Sequence, residues 1–292
     1  MEPGLQGDAY VQALVERVSS AVQDGTIPTG SYGAILVDEG HDFQPEWLSL
    51  LTQQVDPQTN SLLLLYDDAQ NLYGKKRQRK FSFKSVGIQA KGRTTILQVN
   101  YRNTRQILQV AYGFAQGVIT PETPSADDDE PVLIHPESAG RDGPLPELLA
   151  SADLNGEGKT LANRLQQLHN QGIPWQEMAV LYPAPFVGQA LAEHLPTFGI
   201  PVEWLNREPR SRYFQPQHPS VKIMTLHASK GLEFRVVAIA GIGWMPYAAR
   251  PLSGEARLLY VGMTRAIDWL LLSYCRPSHF VERLQTLLVH PG

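Results

Sequence analysis

The chain has 292 residues, 42% of them hydrophobic, which is enough to build a packed core in one large or two ordinary domains. Its single cysteine, Cys275, excludes a disulfide framework and a cysteine-rich zinc site and suits a reducing cytosol. A net charge of −4 excludes an overall polycation, and no apolar run reaches the ~18 residues that a membrane span needs. The start, MEPGLQGDAY, lacks the basic and apolar stretches of a secretory signal, so a cytoplasmic protein is expected.

Residues 8–24 carry apolar side chains at helical spacing, and GTIPTGSYG breaks that helix. The run AILVDE then predicts a buried strand that ends in two carboxylates, Asp38 and Glu39. FQPEWLSLLTQQV reads as a helix, and SLLLLYDD, 61–68, as a second buried strand ending in acids. GKKRQRKFSFK is a basic loop. TTILQVNYR predicts a third strand and NTRQILQVAYGFAQ the helix after it. Residues 121–130, PETPSADDDE, form an acidic linker. Beyond it, KTLANRLQQLHNQG is a helix stopped by glycine. EMAVLYP, PVEWL, VKIMTL, RVVAIAGI and DWLLLSY are strands, with helices in GQALAEHLPTFG and GEARLLYVGMTRA. Strands that alternate with helices predict an α/β fold with parallel sheets flanked by helices.

Strand-end acids hold a magnesium ion beside a triphosphate, and such sites need a loop that cradles the phosphates. No G-x-x-x-x-G-K-[ST] occurs. The nearest match, GEGKT, has Asp153 where the first glycine belongs, and its preceding segment, LPELLASADLNGEG, reads as helix or loop. GEGKT is therefore expected to start a helix, with Gly158 or Thr160 near the cap. Residues 75–93 hold Lys75, Lys76, Arg77, Arg79, Lys80, Lys84, Lys91 and Arg93 with no acid among them, beside Tyr73, Phe81 and Phe83. Cations for phosphates and aromatics for bases fit a single strand of nucleic acid; a solvated basic loop fits the composition equally.

Five motifs occur in order: VDEGHDF, LLLLYDDAQNLYG, LQVNYRN, MTLHASKGLEF and RLLYVGMTRA. Taken together, they resemble the UvrD/Rep-like DNA helicases of superfamily 1, from about Tyr32 to Tyr274. The part of that family that holds the Walker A loop has no counterpart. The resemblance implies RecA-like folding, one partial domain over 1–97 and one complete domain over 98–292, and too short a segment at NREPRSRYFQPQHPS for the large helical insertion of bigger members.

The resemblance also implies roles. Asp38 would ligate Mg2+ and Glu39 polarise the attacking water; Gln70 would sense the terminal phosphate. Arg102 would contact that phosphate, and Arg265, contributed by the other domain, would contact it from across a cleft. Tyr101 would lie against the adenine of ATP, and Glu233 would bond its ribose. Tyr73 would stack on a DNA base, with Lys75, Lys76 and Arg77 beside it, and Thr225, His227, Ser229 and Lys230 would touch DNA phosphates or relay between the sites. The chain departs from the family at His41, where glutamine is usual, and at Tyr66. The expectation is the C-terminal part of an ATP-dependent DNA helicase, acting on single-stranded DNA, completed by a missing N-terminal half and inactive on ATP alone. The alternative is a non-catalytic, helicase-like DNA-binding or interaction scaffold.

Overall fold

Met178–Tyr182 is apolar on both faces and Phe234–Ile239 is so apart from Arg235, the pattern of strands covered by helices on either side. In the computed structural model they lie at the centre of a six-stranded, wholly parallel sheet. The structure describes residues 7–66, 82–95, 97, 99–116, 118, 137–205 and 214–289. These fall into two compact units, one with the described residues up to 95, the other with those from 97 onward.

The first unit is small. Helix α1 (Asp8–Gln23), strand β1 (Ile35–Val37), helix α2 (Pro45–Gln54) and strand β2 (Leu62–Leu64) match the predicted elements. β1 and β2 pair in parallel, with Leu36 opposite Leu63. Among the described residues its buried apolar side chains are Val22, Val37, Leu48, Val55 and Val86. Because strand side chains alternate, Val37 faces this core while Leu36 and Leu63 point away. Those two leucines are 74% and 52% exposed.

The second unit opens with β3 (Val99–Asn100), which pairs with β4 (Glu137–Ser138) in a two-residue ladder. Among the described residues the predicted strand TTILQVNYR is extended only at Val99–Asn100. After α3 (Arg105–Ala115) come β5 (Glu147–Ala150), α4 (Leu154–Asn170), β6 (Met178–Tyr182) and α5 (Pro185–His194). The remainder is β7 (Val202–Trp204), β8 (Val221–Thr225), β9 (Phe234–Ile239), α6 (Leu252–Met263), β10 (Ala266–Tyr274) and α7 (His279–Val289). The sheet order is β5-β10-β9-β6-β8-β7.

Alternate residues of the strands build two cores. Val180, Ile223, Val236, Ala238 and Leu271 pack beneath α4 and α5, around Leu161, Leu165, Val187 and Leu191. On the opposite face Leu181 and Ile239 approach α6 at Gly262. A side chain there would bring its Cβ to 2.3 Å from Leu226, so glycine lets α6 lie against the segment that follows β8. On the other face Gly188 has the same function, with Tyr182 Cζ only 2.4 Å from where a Cβ would stand.

GEGKT lies in the first turns of a helix but does not start it, and neither Gly158 nor Thr160 is its cap, contrary to expectation. The helix begins earlier, at Leu154, and its cap is Asp153, whose Oδ1 accepts from the Gly156 amide at 2.7 Å. The preceding segment contains a strand, β5, that the sequence reading missed; its mixed run ELLA sits at a sheet edge, where apolar alternation is weakest.

Candidate functional site

The predicted residues of the second unit lie around two ends of one sheet. β8 ends at Thr225, at the carboxyl edge. The chain makes a 3-10 turn over His227–Ser229 and reaches the amino end of β9 at Phe234, with Glu233 just before it. Helix α6 runs between the same two edges and delivers Arg265 to the start of β10.

At the amino edge three predicted side chains enter one network. Arg102 Nε lies 2.6 Å from Glu233 Oε2. Arg265 donates from Nη1 to the carbonyl of Leu232, next to Glu233, at 3.4 Å. Asn103, next to Arg102, donates from Nδ2 to the carbonyls of Thr264 (2.9 Å) and Ala266 (2.5 Å), on either side of Arg265. Asn103 is buried and also accepts from Asn100 Nδ2 at 3.0 Å. It therefore clamps the Arg102 segment onto the Arg265 segment, a role that nothing but its place in NYRN signals in the sequence. Arg141 adds a second clamp by donating to the Arg102 carbonyl and to Asp268 Oδ1, each at 2.7 Å.

The three charged groups differ in access. Arg102 and Glu233 are open to solvent, and Tyr101 beside them is 75% exposed. Such a ring is available to stack on a planar ligand. Arg265 is only 2% exposed, and its Nε donates to the Val261 carbonyl at 3.1 Å. The sequence reading set it in a cleft; here its guanidinium is turned onto backbone carbonyls.

At the carboxyl edge Thr225 Oγ1 accepts from the Ala228 amide at 3.1 Å, and Ser229 Oγ donates to the Leu226 carbonyl at 2.8 Å. Thr225 and Ser229 thus shape the turn that carries His227. Burial pushes the His227 imidazole below its ordinary pKa, the positive charge of Arg250 adds to this, and Glu255 opposes it. The ring is therefore held neutral near pH 7, with one nitrogen to donate and one to accept. Glu255 is buried in the first turn of α6 and accepts from Arg250 Nη1 at 3.1 Å and from the Tyr247 amide at 3.3 Å.

In the first unit Asp38 leaves β1 exposed, with Oδ1 accepting from the Glu39 amide at 2.8 Å. Glu39 adopts a left-handed backbone (φ 52°), uncommon for a side chain of this type. Its Oε2 lies 3.0 Å from His41 Nε2. His41 is buried and meets Tyr66 edge-on at 5.8 Å, and Tyr66 meets Phe83 at 5.4 Å. The two departures from the family pattern, His41 and Tyr66, therefore touch each other. Phe83 is used in this packing, while Lys84, Lys91 and Arg93 are exposed. Gln70, Tyr73, Lys75, Lys76 and Arg77 lie outside the described residues, as do Arg79, Lys80, Phe81 and the acidic linker.

Each unit by itself offers groups of the kind that Mg–ATP chemistry uses. Asp38 offers a strand-end carboxylate, and Tyr101, Arg102 and Glu233 offer an accessible ring, cation and acid. A phosphate cradle is not found in GEGKT, because Asp153 already caps that helix and would repel an anion.

Residues 205–277 match the family of the UvrD-like helicase C-terminal domain. The match includes Thr225, His227, Ser229, Lys230, Glu233 and Arg265. A probable DNA helicase from Mycoplasma pneumoniae is 26% identical over 277 residues, covering 88% of this chain and 48% of that protein. The ATP-dependent DNA helicase Rep of Escherichia coli is 44% identical over 62 residues, 19% of this chain and 9% of Rep. Its DNA helicase II is 39% identical over 84 residues, 22% of this chain and 12% of that protein. This chain thus spans at most about half the length of these relatives. The C-terminal domain of a possible DNA helicase from Lactobacillus plantarum WCFS1 superposes with a TM-score of 0.46 at 20% identity, covering 65% of this chain and 96% of that one. The resemblance to UvrD-like DNA helicases read from the five motifs is borne out.

Proposed function

From the premise that its C-terminal domain is UvrD-like, we propose that this chain is the C-terminal part of an ATP-dependent DNA helicase or translocase. The observation that carries this reading is the network at the amino edge. It joins Arg102, Glu233 and Arg265 through Asn103 and the Leu232 carbonyl, although these residues span more than 160 positions of sequence. Bound Mg–ATP would supply a phosphoanhydride to hydrolyse. Tyr101 would stack on the base, Glu233 would accept from the ribose, and Arg102 would meet the terminal phosphate. Arg265 would do so only after leaving its carbonyl contacts. Asp38 would hold the metal ion and Glu39 would orient water, with Gln70 beside them. The first unit is read as the remnant of a first RecA-like domain and the second as a complete one.

Single-stranded DNA is the proposed partner of Thr225, His227, Ser229 and Lys230, and of Tyr73 with Lys75, Lys76 and Arg77. A segment outside this sequence would supply the phosphate-holding loop. Two features favour the second reading, a non-hydrolysing scaffold: the buried Arg265 and the engagement of Glu39 by His41.

The test is fluorescence anisotropy with a labelled oligo(dT), at 50 and 200 mM salt, alongside a phosphate-release assay. The expected result is binding that weakens steeply with salt, no ATP turnover by the chain alone, and a salt slope reduced by about one in Lys230→Ala. Absence of binding at low salt would refute DNA contact. Turnover that disappears in Glu39→Gln would refute the need for an outside phosphate loop.

A further inference from the structure

The short turn after β1 brings three ligating groups together within four residues. Glu39, His41 and Asp42 each offer one donor atom, and the three atoms lie within 4.8 Å of one another. His41 Nε2 is the hub, 3.0 Å from Glu39 Oε2 and 4.0 Å from Asp42 Oδ1. A tetrahedral ion with ligand bonds near 2.1 Å separates its ligands by about 3.4 Å, so small side-chain adjustments would close all three onto one centre.

Three further features suit an ion. The imidazole is buried, with its ring fixed against the edge of Tyr66, as ligating histidines are usually fixed by their surroundings. Glu39 Oε2 and Asp42 Oδ1 are themselves shut off from solvent. The side chains of Glu39 and Asp42 are 40% and 32% exposed, which leaves an ion a way in. Glu39, whose carboxylate faces the imidazole, also holds an αL backbone, the kind of strained conformation that clusters at ligand sites.

We propose that Glu39, His41 and Asp42 form a site for a borderline divalent cation of the Zn2+ type. An imidazole with two carboxylates favours such an ion over Mg2+, which prefers oxygen ligands and retains its waters. The site is distinct from the magnesium role proposed for Asp38, whose Oδ1 is turned to the Glu39 amide. An ion bound there would occupy Glu39 and keep it from orienting water, so the same cation would act as an inhibitor of a completed helicase. The binding site itself does not depend on the helicase reading.

The full chain is titrated with Co2+, followed by its visible ligand-field bands, and then with Zn2+ in competition. One Co2+ per chain is expected, displaced by equimolar Zn2+ and not by 5 mM Mg2+, with affinity at least tenfold weaker in His41→Gln and in Asp42→Asn. No bands at about 100 μM Co2+, displacement by Mg2+, or unchanged affinity in either folded variant would overturn the assignment. Asp42 is partly exposed, so Asp42→Asn decides the question if His41→Gln does not fold. A plain His41–Glu39 ion pair would give none of the expected results.

Discussion

Asn103 stands out among single residues because one side chain spans the two arginine segments. Its amide satisfies two buried carbonyls that flank Arg265. Removing it leaves both without that donor, a cost of about 1–3 kcal/mol. Asn103→Ala is expected to lower the urea midpoint accordingly with an unchanged slope. Cys275 is the opposite case. Burial pushes its thiol up to about 12, with Glu157 adding to the shift, so it remains protonated and unreactive at neutral pH. Glu157 belongs to the GEGKT stretch that resembles a phosphate loop. Its carboxylate is fully buried and accepts from the Gly241 amide and from Ser273 Oγ. That stretch ties α4 to the ends of β9 and β10.

At the scale of elements, two glycines set how closely helices approach the sheet. At Gly188 the obstacle is the ring of Tyr182, whose hydroxyl accepts from Trp204 Nε1 at 2.8 Å and so is held in place. Gly188→Ala gains up to about 1 kcal/mol of helix propensity. Overpacking against a held ring costs about 1–3 kcal/mol. The net expectation is a lower melting temperature, and a rise would show that the ring can move aside. α3 illustrates a different control. Arg283 of α7 donates to the carbonyls of Gly113, Phe114 and Gln116 and thereby closes the end of α3. The strong strands β6, β8, β9 and β10 were legible because both faces are largely buried and their runs are predominantly apolar. β5 and the β3–β4 pair were not, because two to four residues of mixed polarity carry no usable period.

For the whole molecule, the imbalance between the units matters most. The second has two cores on either side of six strands. Among its described residues the first has two three-residue strands, five buried apolar side chains, and Leu36 and Leu63 facing water as register partners. Adjacent exposed leucines on an open sheet favour association with another apolar surface. Concentration-dependent self-association is therefore expected in light scattering. The double variant Leu36→Lys, Leu63→Lys should reduce it while changing stability little, since neither side chain is in the core. A monodisperse wild-type chain at high concentration would contradict this.

The sequence by itself determined the class of fold and the motifs, because apolar periodicity and short ordered signatures are local properties. It also determined that GEGKT is no Walker A loop, since Asp153 stands in place of the required glycine. Only the tertiary structure decided how the motifs meet. Arg102 reaches Glu233, Asn103 bonds on both sides of Arg265, and Arg265 is buried, because these contacts join segments more than 100 residues apart. The three-dimensional course of the chain also brings one donor atom each of Glu39, His41 and Asp42 within 4.8 Å of one another, in a turn that opens on a left-handed backbone at Glu39 that no local preference of glutamate would predict.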